Sequence, residues 1–108
     1  MAARIARGDV RLCYFPAPDK ERPVVVLTRD SAIEGLATVT AAPITSTIRG
    51  VPSEVMLTEE DGMKNACAVN LHNVFTAPRS RLGKRVTQLS RSRMKEVCAA
   101  LRFGLGCD

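Results

Sequence analysis

Aromatic residues are scarce in this chain of 108 residues. Phe15, Phe75, Phe103 and Tyr14 are all of them, and tryptophan is absent. The core must therefore be aliphatic, and few side chains remain on which nucleic-acid bases could stack. No apolar run approaches the length of a membrane span. Cys13, Cys67, Cys98 and Cys107 lack the close spacing of metal ligands, which argues against zinc. No signal peptide is readable at the start. The simple expectation is a cytoplasmic protein with reduced thiols and with no metal or other cofactor. His72 is the one histidine, and no serine–histidine–carboxylate triad can be read around it. Acidic residues nearly vanish late in the chain: over residues 79–102 eight basic residues accompany one acid, Glu96.

What is present is a globular composition. Apolar residues make up 45% of the chain, enough for one domain over residues 1–108 with a modest core. The formal net charge is +5. A basic field concentrated in one stretch attracts a polyanion such as nucleic acid, or an acidic protein partner.

Residues 10–15 alternate as a strand would, after a turn-like Arg7-Gly8-Asp9. That tripeptide has no adhesion role without a secreted context. Residues 16–21 form a loop with two prolines. The β-branched run 24–28 predicts a central strand buried on both faces. A short helical turn starts at Asp30 or Ser31 and breaks at Gly35, and residues 37–42 alternate as a third strand. A polar connection containing Arg49-Gly50 leads to a fourth strand at 54–57. Thr58-Glu59-Glu60-Asp61-Gly62 reads as a capped turn. Residues 67–70 predict a fifth strand, continued at 73–76 after a kink. One helical turn over 78–82 is closed by Gly83, and a last short strand covers 85–89. Ser90 or Ser92 caps the only long helix, which packs Met94, Val97, Cys98, Leu101 and Leu105 on the sheet. Five or six strands and a closing helix predict a mainly β fold, a small curved antiparallel sheet or barrel.

Two segments stand out. Arg22-Pro23 opens the run Val24-Val25-Val26-Leu27-Thr28, and Pro43-Ile44-Thr45-Ser46 closes another. They offer a guanidinium beside hydroxyls at the ends of two strands, a set suited to binding and cleaving a phosphodiester. By pattern alone, a strand start and a turn of any small β domain are the commoner explanation of the same residues.

The ordered set of these motifs resembles the MazF/PemK family of toxin endoribonucleases. It comprises Arg7-Gly8-Asp9-Val10, the two segments above, the later segment from Ala68 to Thr76, and Val86-Thr87-Gln88-Leu89-Ser90 before the terminal helix. The resemblance spans nearly the whole chain. It implies an SH3-like barrel, a homodimer with single-stranded RNA in a groove across it, and a cognate antitoxin with an acidic C-terminal segment on the same surface. It implies metal-independent cleavage at short preferred sequences, and it places the family's catalytic arginine and threonine on Arg22 and Thr45. The loop over residues 16–21 is shorter than the family's usual glycine-containing loop, which leaves gating and sequence preference open.

RNA carries its own nucleophile, the 2′-OH. A protein has to align that oxygen with phosphorus, stabilise the phosphoryl charge and move two protons. The products would be a 2′,3′-cyclic phosphate and a 5′-hydroxyl. Arg22 suits the phosphoryl oxygens, and Thr45 suits a phosphoryl oxygen or the ribose. Ser46 could substitute for that hydroxyl. Glu21 is the nearest candidate base along the chain, although adjacent strand residues face opposite ways. His72 is the one imidazole, the side-chain type whose natural pKa lies near neutrality. Arg49 suits an upstream phosphate. Arg79, Arg81, Lys84 and Arg85 form an electrostatic surface for RNA or for acidic antitoxin residues. The competing readings are a non-enzymatic gyrase-binding toxin of the CcdB type, which would not need Arg22 with Thr45, and an inactive RNA-binding paralogue.

Overall fold

A computed structural model describes residues 4–16 and 20–107. Of the short loop, residues 17–19 lie outside the described residues. The strands are β1 (Asp9–Tyr14), β2 (Glu21–Val26), β3 (Thr38–Thr45), β4 (Glu54–Leu57), β5 (Cys67–Asn70), β6 (Phe75–Pro78) and β7 (Leu82–Gln88). The helices are α1 (Asp30–Ile33) and α2 (Arg91–Leu105), with 3₁₀ turns at Glu59–Asp61 and Arg79–Arg81. Every pairing is antiparallel, in the order β4-β5-β3-β2-β1-β7, with β6 also on β3. The result is the expected mainly β architecture, a small SH3-like barrel of curved antiparallel strands with a C-terminal helix. Its hydrogen-bonded path is open, with β4 and β7 at the ends.

Among the described residues the count is seven strands, not five or six. Residues 73–76 are not a continuation of the fifth strand. The chain turns after Asn70, buries Leu71, and returns as β6. β3 pairs with β2 along one edge and is long enough to serve two partners along the other: its first half pairs with β6 (Thr38↔Pro78 to Ala41↔Phe75), and Ile44 and Thr45 pair with β5. Pro43, which cannot donate to a ladder, sits next to this change of partner. The last strand also starts earlier than its residue pattern suggests, at Leu82.

The sheet buries both faces of its middle, as the Val24-Val25-Val26 run predicts; all three are fully buried. Val10, Val25, Leu27, Ile44, Val55, Val69 and Leu71 meet Val97 and Ala100 of α2. On the opposite side Cys13, Val24, Val26, Val39 and Ala77 gather around Ile33 of α1, with the tilted rings of Phe15 and Phe75 5.6 Å apart beside them. Ser90 is the N-cap of α2, its hydroxyl accepting from the Arg93 amide at 3.1 Å. Leu105 departs from expectation: it is exposed, like Phe103, because Gly104 brings the end of α2 against the Leu71 carbonyl and turns its neighbours outward. Among the described residues no helix is long and apolar enough to cross a membrane.

The Arg7-Gly8-Asp9 turn has a structural task. Gly8 adopts a left-handed φ of 89°, a backbone conformation that favours glycine, with Met94 packed beside it. Asp9 is fully buried and accepts from Arg11 Nε at 3.0 Å, Gln88 Nε2 at 3.1 Å and the Ala6 amide at 3.0 Å. Arg11, itself buried, donates its remaining nitrogens to the carbonyls of Gly83 (2.9 Å) and Arg4 (3.0 Å). A buried charge needs such complete pairing to be tolerated. This pair ties the start of the chain to β7.

Candidate active site

The β2–β3 ladder ends at Val24↔Pro43. Continued by two residues, its register sets Arg22 opposite Thr45, and residues opposite one another in an antiparallel pair share a face. Both line one cavity of about 620 Å³. Its buried or half-buried lining is largely apolar and includes Leu12, Pro23, Ile44, Met63 and Cys67. Its exposed lining is mostly polar and cationic, with Arg22, Ser46, Lys64, Asn65, Lys84 and Arg85 beside the apolar Ala66 and Val86. Such a cavity fits a ligand with a flat apolar part and an attached anion.

Each wall has a local cause. Arg22 precedes Pro23 at the outer end of β2, where Cys13 of β1 is its partner. Thr45 is the last residue of β3. Its Oγ1 accepts from the Thr47 amide at 3.0 Å, which fixes the side chain and leaves the hydroxyl hydrogen able to donate. On β7 two register shifts occur, as Val10↔Thr87 is followed by Arg11↔Arg85 and then Cys13↔Leu82. Each inserts one extra residue into β7, and such bulges re-aim side chains. Lys84, Arg85 and Val86 consequently all line the cavity, where a regular strand would turn every second residue away. Arg85 also stands 3.9 Å from Asp9 Oδ1.

The third wall is the loop between β4 and β5. Thr58 and Asp61 form a capping box: the Thr58 hydroxyl accepts from Glu60 N, and Asp61 Oδ2 accepts from Thr58 N at 2.9 Å. Gly62 ends that turn in left-handed backbone, φ 92°. Arg93 of α2 clamps it by donating Nε to Asp61 Oδ1 at 2.9 Å. Burial pushes the Asp61 carboxyl up, but the hydrogen bonds from Arg93 and Thr58 and the Arg93 charge outweigh it and hold the group below its ordinary value. Burial likewise pushes the Cys67 thiol up, with the Asp61 charge adding to it.

Of the residues singled out in the sequence, Arg22, Thr45, Ser46, Lys84 and Arg85 come together here. Glu21, exposed at the start of β2, is adjacent but outside the lining. Arg49 lies on the β3–β4 loop, where its amide and that of Gly50 donate to Glu54 Oε1 at 2.9 and 3.0 Å. His72 is not brought to this cavity. It lies past the far end of β5, its Nδ1 2.6 Å from Ser53 Oγ. Arg79 donates Nη1 to the carbonyls of Ile33 (3.3 Å) and Leu36 (3.2 Å), which anchors the end of α1. Arg81 is exposed in the turn before β7, near enough to Cys13 to act against the upward push of burial on that thiol. Lys64, Asn65 and Met63 were missed in the sequence. Their one signal was a cationic and amide pair directly after a capped turn.

Comparison with known proteins places the fold and the family. The profile of the family described as PemK-like, MazF-like toxin of type II toxin-antitoxin system matches residues 6–105. The chain is 42% identical over 109 residues to a probable endoribonuclease MazF5 of Mycobacterium tuberculosis, covering 100% of this chain and 99% of that one. Its fold superposes on the Mycobacterium tuberculosis toxin MazF-mt6 with a TM-score of 0.85 at 31% identity, covering 93% and 98% of the two chains. It also superposes on a mycobacterial endoribonuclease solved in complex with its cognate antitoxin, with a TM-score of 0.86 at 24% identity and coverage of 97% and 98%. The chain belongs to the PemK-like, MazF-like family of toxins of type II toxin-antitoxin systems.

Proposed function

We propose that this protein is a sequence-preferring, metal-independent endoribonuclease toxin that cuts single-stranded RNA and leaves 2′,3′-cyclic phosphate and 5′-hydroxyl ends. The observation that carries this reading is the placement of Arg22 opposite Thr45 in one cavity with an apolar floor and a cationic rim. The floor takes an unstacked base, and the rim takes the phosphates on either side of it.

The 2′-oxygen attacks the adjacent phosphorus, a new P–O bond closes the cyclic phosphate, and the bond to the 5′-oxygen breaks. Arg22 holds non-bridging oxygens in its guanidinium fork and stabilises the charge that develops towards the leaving oxygen. Thr45 donates its hydroxyl to a phosphoryl oxygen, its orientation set by the Thr47 amide. Lys64, Lys84 and Arg85 hold neighbouring phosphates, and Ser46 and Asn65 contact ribose or base edges. Among the described residues the lining contains no carboxylate and no imidazole, so Glu21, one residue from Arg22, is the candidate to accept the 2′-OH proton. The leaving 5′-oxygen takes its proton from water. Arg49 and Arg81 belong to the outer electrostatic surface.

The working form is a homodimer, and the physiological inhibitor is an antitoxin whose acidic segment competes for the same cations. Such a system acts in the cytoplasm, where the four free thiols stay reduced. The deciding experiment incubates the protein with cellular RNA in EDTA and sequences all new 5′-hydroxyl ends. Discrete ends that an Arg22→Ala variant fails to make support the reading. Their absence from folded, dimeric protein, or their equal production by Arg22→Ala, overturns it.

A further inference from the structure

We propose that a second cleft, across β7 from the candidate active site, is a phosphate-binding subsite for single-stranded RNA running beyond the point of cleavage. The proposal rests on the endoribonuclease reading above and extends it. The cleft has a volume of about 1040 Å³, and its lining includes Arg4, Arg79, Ser80, Lys84 and Arg85. Lys84 and Arg85 line the first cavity as well, so the two sites are contiguous over one strand. β7 is the end strand of the sheet, and its bulges turn consecutive basic side chains to both clefts.

The chemistry of the lining favours phosphate. No carboxylate lines the cleft among the described residues. The nearby Asp9 is fully buried and accepts from Arg11, Gln88 and the Ala6 amide; it also stands 3.9 Å from Arg85, so Arg79 and Lys84 carry most of the free charge of the cleft. Arg79 spends one nitrogen on the neutral carbonyls of Ile33 and Leu36, so its positive charge is not cancelled there. Lys84 has no ion pair among the described residues. Arg4 pairs with Glu34 at the outer rim. The large apolar members, Ile5 and Leu82, are packed against the core, and Ala37 adds only a methyl group, so a peptide has little to anchor on. A sugar–phosphate backbone needs no such anchor, because it binds through charge alone.

The test uses mixed-sequence 2′-O-methyl oligonucleotides, which lack the nucleophile, of about four and about sixteen nucleotides. Binding to the full protein is measured across a salt series. The longer probe is expected to give a steeper slope of log affinity against log salt, by about 0.7 for each added phosphate contact. Ser80→Glu places an acid in this cleft alone, and Ala37→Glu does the same from the opposite wall should the first variant fold poorly. Either is expected to flatten the long probe's slope towards the short probe's and to leave the short probe's affinity unchanged. Unchanged binding of the long probe overturns the subsite, and so does an equal loss for both probes. Selective loss of a poly-glutamate peptide, with RNA binding intact, overturns it in favour of an acidic protein partner. Cleavage of unmodified RNA by the parent protein is read in parallel. Its absence defeats the endoribonuclease reading, whereas its presence beside an unaffected long probe defeats the subsite alone.

Discussion

Gly62 lies against Thr87. A Cβ built on the glycine would stand 2.8 Å from the Thr87 Cβ and nearer still to its hydroxyl. The contact joins two walls of the candidate active site, because residues 63–67 follow Gly62 and residues 84–86 precede Thr87. Gly62 also needs left-handed backbone. Gly62→Ala therefore combines overpacking, about 1–3 kcal/mol, with roughly 1 kcal/mol of backbone strain. Denaturant unfolding is expected to register the sum, and RNA cleavage measured well below the melting point should fall because the walls separate. A variant as stable and as active as the parent would show that the walls are held together elsewhere.

The Asp61–Arg93 clamp gives a pH dependence with a definite sign. The folded-state value of Asp61 is lowered, so between that value and the ordinary carboxylate value near pH 4 the unfolded chain binds more protons. This contribution to stability is complete above the ordinary value and is lost as pH falls through the lowered one. Arg93, raised by the same pair, stays charged throughout. Unfolding free energy measured below about pH 5 should decline less steeply in Arg93→Gln than in the parent. Parallel curves would remove the clamp from the account of the β4–β5 loop.

Thr45 separates chemistry from folding. Its Oγ1 already accepts from Thr47, so the loss of the hydroxyl removes one turn bond and, in the proposed mechanism, one donor to the substrate. Thr45→Ala should lower kcat by about 10²–10³ with KM changed little, the pattern of a donor that acts in the transition state. Thr45→Ser keeps the hydroxyl and should restore most of the rate. If KM rises while kcat holds, Thr45 is a binding residue.

The central strand, the capped turn at Thr58, the Ser90 cap and the pairing of Arg22 with Thr45 as candidates were all legible, because each rests on local pattern or on a family resemblance carried by short motifs. The double partnership of β3 was not. Periodicity reports which face a residue buries and is silent on which strand lies alongside, so β6 read as an extension of β5. The bulges in β7 were equally hidden. Gly83-Lys84-Arg85-Val86 shows nothing unusual until Arg11, seventy-two positions earlier than Gly83, takes the Gly83 carbonyl at 2.9 Å. His72 stands out in the sequence as the one imidazole, a property of the side chain, whereas its placement beside Ser53 is a property of the chain's path.

Arg11 is thus the hidden support of the site. It is buried, fully paired, and hydrogen-bonds both the Asp9 carboxylate and the Gly83 carbonyl of the bulged part of β7 that presents Lys84 and Arg85, where Arg85 adds a longer contact of 3.9 Å to Asp9. Arg11→Ala leaves a buried carboxylate without its main cation and frees the Gly83 carbonyl. The expected cost is about 3–5 kcal/mol. Arg11→Ala with Asp9→Ala should cost less than the two single changes added together, because neither charge is left uncompensated. A milder change, Gln88→Ala, removes one hydrogen bond to Asp9 and should cost about 1 kcal/mol. RNA affinity of the folded Gln88→Ala variant is expected to stay near that of the parent, since Arg11 still holds the bulge. A loss of RNA affinity in Gln88→Ala as large as that in Lys84→Ala would assign the positioning of β7 to Gln88, not to Arg11.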